Sequence, residues 1–340
     1  MSTLLGIVGS DTMKSATRSR KVVIGGLILL AVLLSLPAKP DNLSTRPRIG
    51  ILVPPIPSIF EIPLRDSLRE LGYVDPKSVL FDVRRSEGPQ QEWRALADDL
   101  VRSKVDLIIA IGTPAARAAM DATTTIPVVF GVGDAVSTGL VTSLAKPRAN
   151  GTGITTMSTE VSAKRLEMLL EIVPKARRVV YLYNPASPLG PRMREEVQAA
   201  AAALRVQLDA MQAKDAGEIH QALERVSRNR PDGFLVSSEV LFLTSRDRII
   251  QTIAKARLPT VFPWRLYAVE GGLTSYGASN EEGMRRVAAY ADRVLKGARP
   301  SDLPIEQLST FHLVVNLRAA KAQGITIPES FLLRTDEVIQ

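Results

Sequence analysis

The sequence contains no cysteine and only two histidines among its 340 residues. The absence of cysteine excludes disulfides, cysteine-ligated metals and a lipid anchor attached through an amino-terminal cysteine. We expect His220 to be exposed and His312 to be half-buried in a strand, and neither has a Ser, Asp or Cys at a catalytic spacing. The chain has no nucleophile-elbow motif and no phosphate-loop motif. We therefore expect no cofactor, no metal and no enzymatic activity.

Aromatic residues are also scarce, at 5% of the chain. Sugar-binding sites commonly use aromatic stacking platforms, so their scarcity favours a ligand that carries a carboxylate. The net charge is +8, of which Lys14, Arg18, Arg20 and Lys21 against Asp11 account for +3. The other basic residues are spread among acidic ones without aromatic interleaving. This distribution predicts a solvated surface and no nucleic-acid partner.

The amino terminus has the organisation of an export signal. Residues 14–21 are cationic without acidic residues, and residues 22–36 form an apolar run. That run is shorter than the roughly 20 residues that a membrane span needs. We predict a signal peptide over 1–38, with an uncleaved amino-terminal anchor as the alternative, then a polar linker over 39–47 and a periplasmic location. We also expect Met13 to be the natural start.

The stretch that organises the rest of the chain begins with a nearly continuous apolar run over 105–111. Such a run is typical of a strand that is covered on both faces of a parallel sheet. Gly112 ends the strand, Thr113 is predicted to cap the following Ala-rich helix 115–120, and Pro114 is predicted to occupy its first turn. Because a helix start attracts anions, we expect Thr113 and Pro114 to lie at a ligand site.

A second cycle of the same kind follows at once. Residues 126–130 are predicted to form a strand and 131–133 a turn, and Asp134 stands in the matching loop. In an open α/β sheet, the loops at the carboxyl ends of the strands form the crevice that binds ligands. Two roles remain open for Asp134. It either meets a ligand ammonium group or caps a predicted short helix over 137–145.

Strands alternate with helices throughout the remaining chain, which predicts an α/β fold with parallel sheets and right-handed crossovers. The other predicted strands are 48–53, 79–83, 150–155, 178–183, 206–211, 233–236, 260–262, 271–277 and 311–315. The other predicted helices are 59–71, 89–103, 161–173, 191–205, 215–228, 244–256, 281–295 and 317–322.

A chain of this length is suited to two lobes. We predict that 150–155 and 271–277 cross between them. The amino-terminal lobe then comprises 48–155 and 277–308, and the carboxyl-terminal lobe comprises 156–276 and 309–340.

Polar loops also follow the predicted strands of the carboxyl-terminal lobe. Together with Thr113, Pro114 and Asp134, the candidate ligand-binding residues are Asn184, Ser238, Glu239, Tyr276 and Gly277. Trp93 lies at helical spacing with apolar residues, so we predict that it belongs to the core. For Trp264, a place in the ligand wall and simple packing between the lobes remain open.

Several segments carry a resemblance to a known family. They are GGLTSYG at 271–277, LKGARPSDLPIEQ at 295–307, FHLVVN at 311–316, IGTPAA at 111–116 and IPVVF at 126–130. With Asp134 and GLV at 139–141, they resemble the ABC-transporter substrate-binding proteins, a family that includes tryptophan- and tyrosine-binding members. The resemblance covers residues 47–339. It implies a type I periplasmic-binding-protein fold, with two Rossmann-like lobes joined by three crossings, a small ligand in the cleft and no catalysis.

The chain lacks the lipid-anchoring cysteine that many members of the family carry, and it departs from the family pattern at two further places. The family commonly has Asp-Pro-Val where this chain has Asp134-Ala135-Val136, and a Gly-Gly pair in place of Arg148-Ala149. The identity of the ligand therefore cannot be carried across.

We therefore predict that the protein is the solute-binding component of an ABC importer and that it captures an amino acid or a related carboxylate-bearing molecule. Its expected partners are an ABC permease and its ATPase subunit, and the mature chain is expected to be a monomer. The alternatives are an exported ligand-sensing module for a membrane receptor and an exported enzyme of Rossmann-like fold.

Overall fold

The computed structural model describes residues 46–147 and 150–340. The predicted signal peptide, most of the predicted linker and the departure at Arg148-Ala149 lie outside the described residues. Residues 47–340 form one compact unit. Within the described ranges, no helix combines the length and the apolar character that crossing a membrane would require.

The elements before the first crossing are β1 Arg48–Val53, α1 Glu61–Glu70, β2 Leu80–Arg85, α2 Gln90–Arg102, β3 Leu107–Ile111, α3 Thr113–Ala122, β4 Val128–Val132 and β5 Gly151–Thr155. The next group is α4 Ser158–Ile172, β6 Arg178–Tyr183, α5 Gly190–Ala203, β7 Gln207–Gln212, α6 Ala216–Asn229, β8 Gly233–Val236, α7 Val240–Thr244, α8 Arg246–Lys255, β9 Val261–Phe262, α9 Arg265–Val269 and β10 Thr274–Ala278. The chain ends with α10 Asn280–Leu295, a 3-10 turn at Pro300–Asp302, β11 Glu306–Gln307, β12 Phe311–Asn316, α11 Leu317–Gln323, α12 Glu329–Leu332 and β13 Glu337–Ile339.

The first sheet is parallel throughout, with strand order β11-β5-β4-β3-β1-β2. Side chains of β3 alternate between two apolar clusters. Ile109 belongs to the cluster that contains Leu64 of α1 and Val287 of α10. Ile108 belongs to the cluster that contains Trp93 of α2. Both faces are therefore buried, which is why the sequence of β3 is apolar without alternation. The prediction that Trp93 is a core residue is confirmed.

The second sheet consists of the parallel strands β7-β6-β8 and the strands β13-β12-β10-β9, and a single bridge from Phe234 to Thr260 links the two sets. The expectation of purely parallel sheets fails at one place, because β10 and β12 are antiparallel. The cause is the path of the chain. It leaves β10 for α10 and β11 at the first sheet, and returns into β12 from that side, so β12 runs in the opposite direction.

The chain passes between the two sheets three times, after β5, after β10 and after β11. Residues 151–155 are a buried strand of the first sheet, and residues 274–278 are a strand of the second. The two stretches predicted to cross are thus parts of the sheets, and the crossings themselves are shorter. The first one contains Met157, which adopts a left-handed φ of 52°.

The helix predicted over 137–145 is absent, and turns occupy this segment. Gly139 has a φ of 67°, which a right-handed helix does not accommodate. The sequence analysis also missed α7, α9, α12, β11 and β13. Each has five residues or fewer, too few to show a periodic pattern. His220 is exposed as predicted, whereas His312 is exposed rather than half-buried.

Candidate functional site

The loop between β3 and α3 turns sharply into a helix at the carboxyl end of the first sheet. Gly112 holds the capping position with a φ of 95°, and within the part of the chain that the structure describes no side chain accepts a hydrogen bond there. Thr113 is the first residue of α3 and is buried, so the prediction that its side chain caps the helix is wrong. A glycine can make this turn without a side-chain cap because positive φ costs it little. Pro114 lies in the first turn as predicted, and its carbonyl accepts a hydrogen bond from Gln90 Nε2 at 3.2 Å.

Asp134 joins the loop after β4 to the first turn of α4. Its Oδ1 accepts a hydrogen bond from the Ser137 backbone N–H at 2.9 Å, and its Oδ2 accepts one from Thr159 Oγ1 at 3.1 Å. The neighbouring Gly133 carbonyl accepts the Ser158 backbone N–H at 3.0 Å. The capping alternative is thus correct in part, because Asp134 caps a turn rather than a helix. The same carboxylate also ties together the two sides of the first crossing.

Glu239 follows β8 at the carboxyl end of the second sheet and is 8% exposed. Its Oε1 accepts a hydrogen bond from Ser237 Oγ at 3.0 Å. Burial raises the pKa of Glu239 to about 7, although hydrogen bonds from Ser237, Ser187 and Asn184 oppose that rise. No basic side chain of the described residues lies within 4.0 Å of its carboxylate. Asn184, which follows β6, also accepts the Ala186 backbone N–H at 2.9 Å.

Ser238 and Tyr276 are brought together by a residue that the sequence analysis missed, Arg165 of α4. Its Nη2 donates to Ser238 Oγ at 2.8 Å, and its Nε donates to the Tyr276 carbonyl at 2.9 Å. Its Nη1 donates to Ser162 Oγ at 3.3 Å. Arg165 is 3% exposed, and burial lowers the pKa of its guanidinium to about 10. Among the described residues, no carboxylate lies within 4.0 Å of it.

The helical spacing of α4 does contain a signal for Arg165. Val161, Met168 and Ile172 are buried on one face of the helix, and Arg165 occupies the position between them at the same spacing. An arginine is rarely buried unless it is paired. A charged residue inside an apolar helical stripe therefore marks a position that needs explanation, and it can be found from the sequence.

The hydroxyl of Tyr181, in β6, lies in the same neighbourhood as the two buried charges. Burial raises the pKa of Tyr181, and the charges of Arg165 and Glu239 act on it in opposite directions. Ser162 and Ser237 lie near this hydroxyl. It makes no hydrogen bond of ordinary geometry with any described residue. Arg165, Tyr181 and Glu239 thus form a buried polar group with incomplete internal pairing, and we call these three residues the polar triad.

Gly277, Tyr276 and Trp264 are each packed closely against neighbouring residues. A Cβ at Gly277 would lie 2.1 Å from the Pro263 carbonyl oxygen, so only glycine fits there. The half-buried Tyr276 ring packs at 5.9 Å from the ring of Phe311. Trp264 stacks on Tyr267 at 6.2 Å, which supports the packing alternative for this residue.

Other features of the described residues do not add to this site. Neither 46–147 nor 150–340 contains three or more His, Cys, Asp or Glu side chains grouped to hold a metal ion. A surface groove of about 1110 Å³ lies between α6 and α8. It is lined by residues that precede β8 and β9, so it lies at the amino ends of these strands, away from the candidate residues.

Comparison with known proteins places the chain in a family. Residues 60–339 match the sequence model of the ABC transporter substrate binding protein family. A tyrosine-binding protein of Clostridioides difficile strain R20291 is 25% identical over 275 residues, which cover 80% of this chain and 79% of that protein.

Solved structures agree with this assignment. An ABC domain from Streptococcus pneumonia in complex with L-Trp superimposes with a TM-score of 0.80 at 26% identity, covering 87% of this chain and 100% of that one. A conserved domain protein from Vibrio cholerae O1 biovar El Tor strain N16961 gives 0.80 at 25% identity, covering 86% and 99%. They confirm the expected fold of two Rossmann-like lobes, and the family assignment confirms that the protein binds a solute and is not an enzyme. The chain belongs to the family of ABC transporter substrate-binding proteins.

Proposed function

We propose that this protein is the solute-binding component of an ABC importer. It captures a small carboxylate-bearing ligand, an amino acid or a related acid, in a cleft between two lobes. It then delivers the ligand to a permease that is driven by an ATPase subunit. The proposal is supported by two similar proteins, one named as tyrosine-binding and one solved with L-Trp.

One observation carries the proposal, namely that the loop after β4 meets the start of α4 and also the loop after β6, where a Cβ on Gly133 would lie 2.6 Å from Leu189 Cδ1. The contact of Asp134 with Thr159 and that of Gly133 with Ser158 join the loop after β4 to the helix that leads into the second sheet. Ligands of open α/β folds bind at the carboxyl ends of strands. A ligand held there contacts both sheets and favours the form in which they are close together.

We assign residues 48–155 and 279–308 to one lobe and residues 156–278 and 309–340 to the other, which moves one predicted boundary by two residues because Gly277 and Ala278 pair with β12. The pairing of β11 with β5 and of β12 with β10 supports this division. The proposed ligand-binding residues are Thr113, Pro114 and Asp134 on the first lobe, and Asn184, Ser238, Glu239, Tyr276 and Gly277 on the second lobe or at its edge. The three short crossings act as the hinge.

The amino-terminal sequence supports export to the periplasm, with residues 1–38 as the signal peptide. The mature protein then works as a monomer, since a binding protein of this kind needs only its own two lobes to enclose a ligand.

A thermal-shift screen of the exported protein against the standard L-amino acids, aromatic acids, short peptides and neutral sugars tests this function. A ligand present at a hundred times its dissociation constant stabilises the native state by about 2.7 kcal/mol. For lobes of this size, the melting midpoint should rise by roughly 5–10 °C. Small-angle scattering with the same compound should show a smaller radius of gyration. A response to neutral sugars alone would overturn the proposed ligand class, and an unchanged radius would overturn hinge closure.

A further inference from the structure

We infer that the polar triad is a site for the zwitterion of an α-amino acid, in which Arg165 binds the carboxylate and Glu239 binds the ammonium group. The inference rests on the proposed function. It goes further by assigning each charge of the ligand to one residue of the second sheet, and it therefore excludes acids without an ammonium group as the preferred ligands.

The first step concerns the charge of Arg165. A buried guanidinium without a counter-charge is strongly unfavourable, so such groups are normally paired. All three acceptors of Arg165 are neutral, namely the Ser162 and Ser238 hydroxyls and the Tyr276 carbonyl. Arginine has five N–H donors. Two of them remain for a carboxylate, which is the anion that a guanidinium binds with the strongest hydrogen bonds.

The second step concerns Glu239, a buried negative charge that has no positive partner among the described residues. Its carboxylate is buried and accepts a hydrogen bond from the neutral Ser237 hydroxyl. The hydrogen bonds that lower the pKa of Glu239 come from Ser237, Ser187 and Asn184, and all of these donors are neutral. An ammonium group of a ligand would supply the missing positive charge through a charge-assisted hydrogen bond.

The third step is the placement of the two charges. Ser237 and Ser238 are consecutive, and the first hydrogen-bonds to Glu239 whereas the second accepts from Arg165. The loop after β8 thus contacts both charges, since Glu239 is one of its residues and Arg165 reaches it from α4, and no ion pair within 4.0 Å joins the two. The Tyr181 hydroxyl, whose pKa both charges influence in opposite directions, has no hydrogen-bond partner among the described residues. An α-amino acid carries a carboxylate and an ammonium group on one carbon atom, so its charges complement this arrangement.

A purely structural role for Arg165 makes a different prediction. Arg165 connects α4 with the loop after β8 and with β10, so its removal could disturb the cleft as a whole. Such damage would weaken every ligand by a similar factor. A direct role weakens only those ligands that carry the group Arg165 recognises.

Calorimetric titration of the exported protein separates these roles. The probes are the standard L-amino acids and, for the one that binds most tightly, its amide and its deamino analogue. The amide lacks the carboxylate, and the deamino acid lacks the ammonium group. Each analogue should bind roughly 10- to 100-fold more weakly than the parent amino acid, which is the range for one lost charge-assisted contact. This comparison uses the unmodified protein, so it does not depend on the folding of any variant.

Variants then assign each charge to its residue. Glu239→Gln should reduce the preference for the amino acid over its deamino analogue to within about threefold, and should leave the preference over the amide intact. Arg165→Met should do the reverse, and Arg165→Lys, which keeps the charge but loses the fork, should fall between. The matched controls are Lys164→Met and Glu160→Gln, which change exposed charges on α4 and should alter neither preference.

The outcomes separate the inference from the proposed function. If an amino acid binds but neither variant changes the two preferences, the zwitterion site is wrong and the solute-binding role stands. A uniform loss across all three compounds also overturns it, because that result indicates a structural role. If no amino acid or related acid binds at all, both the inference and the proposed ligand class fail.

Discussion

The buried charges at the ends of the two sheets differ in the kind of partner that they contact. Beside the first sheet, the buried Glu61 at the start of α1 accepts a hydrogen bond from Arg85 Nε at 2.8 Å, and its Oε1 lies 3.2 Å from Arg65 Nε. Beside the second sheet, Arg165 and Glu239 are buried, and their hydrogen-bond partners among the described residues are all neutral. Removing one partner of a pair of the first kind is costly, whereas charged groups with perturbed pKa values cluster at functional sites. This contrast is the basis for the inference that the second lobe recognises the charges of the ligand.

The largest effect is expected from a substitution that removes the unpaired charge of Glu239. Burial raises the pKa of this carboxyl group to about 7, so the folded protein holds its proton more tightly than the unfolded chain does. Its contribution to stability therefore falls as pH rises towards and through 7. Glu239→Gln should match the wild type near pH 4.5 and be more stable by about 3 kcal/mol at pH 8, without ligand.

Urea unfolding at the two pH values measures this difference. The control Glu160→Gln changes an exposed carboxylate and should leave the pH dependence as it is. Equal stability of Glu239→Gln and the wild type at pH 8 would mean that Glu239 has a counter-charge after all.

The next largest effect is expected from a substitution that removes the paired charge of Glu61. Glu61→Gln removes the carboxylate that Arg65 and Arg85 share, and should destabilise the protein by about 2 kcal/mol. The loss stays in this range because both arginines are partly exposed and can turn to water. The control Glu70→Gln, at an exposed position of α1, should change the unfolding free energy by less than about 0.5 kcal/mol. Binding of an amino acid should be unchanged, and a loss of affinity without a loss of stability would move Glu61 into the ligand site.

The smallest effect concerns Asp134, whose oxygens accept hydrogen bonds from Ser137 and Thr159. Asp134→Ala should cost about 1–2 kcal/mol of stability, since both hydrogen bonds are lost. Asp134→Asn keeps one oxygen and should recover part of that loss. The ammonium group is assigned to Glu239 and an Asn at position 134 still offers an oxygen to the ligand, so amino-acid affinity should change by less than about threefold in the Asn variant. A tenfold weaker affinity measured by calorimetry would assign the ammonium group to Asp134 instead.

Much of the fold could be predicted from local patterns. The apolar run of β3, its punctuation by Gly112 and the helical spacing around Trp93 give element type because burial repeats with the period of each structure. Short elements such as α7 and α9 carry too few residues for a period. The helix predicted over 137–145 failed because one glycine with positive φ outweighs the propensity of its neighbours.

The candidate site was less accessible to sequence reasoning. Its residues were chosen because they follow strands, and that rule cannot find Arg165, which projects from the middle of a helix. The choice also could not distinguish a polar group with partners, such as Asp134, from one without a counter-charge, such as Glu239. That distinction depends on contacts between residues far apart in the chain.

The sequence by itself determined the alternation of strands and helices, the burial of the first sheet on both faces and the position of polar loops at strand ends. These features follow from hydrophobic periodicity and from glycine and proline punctuation, which act within a few residues. Only the tertiary structure decided that β12 runs antiparallel to β10, that Asp134 meets Thr159 across a crossing, and that Arg165 and Glu239 have no counter-charge within 46–147 and 150–340. Those properties depend on where the chain returns after leaving a sheet, because the return brings distant segments together and sets which charges meet.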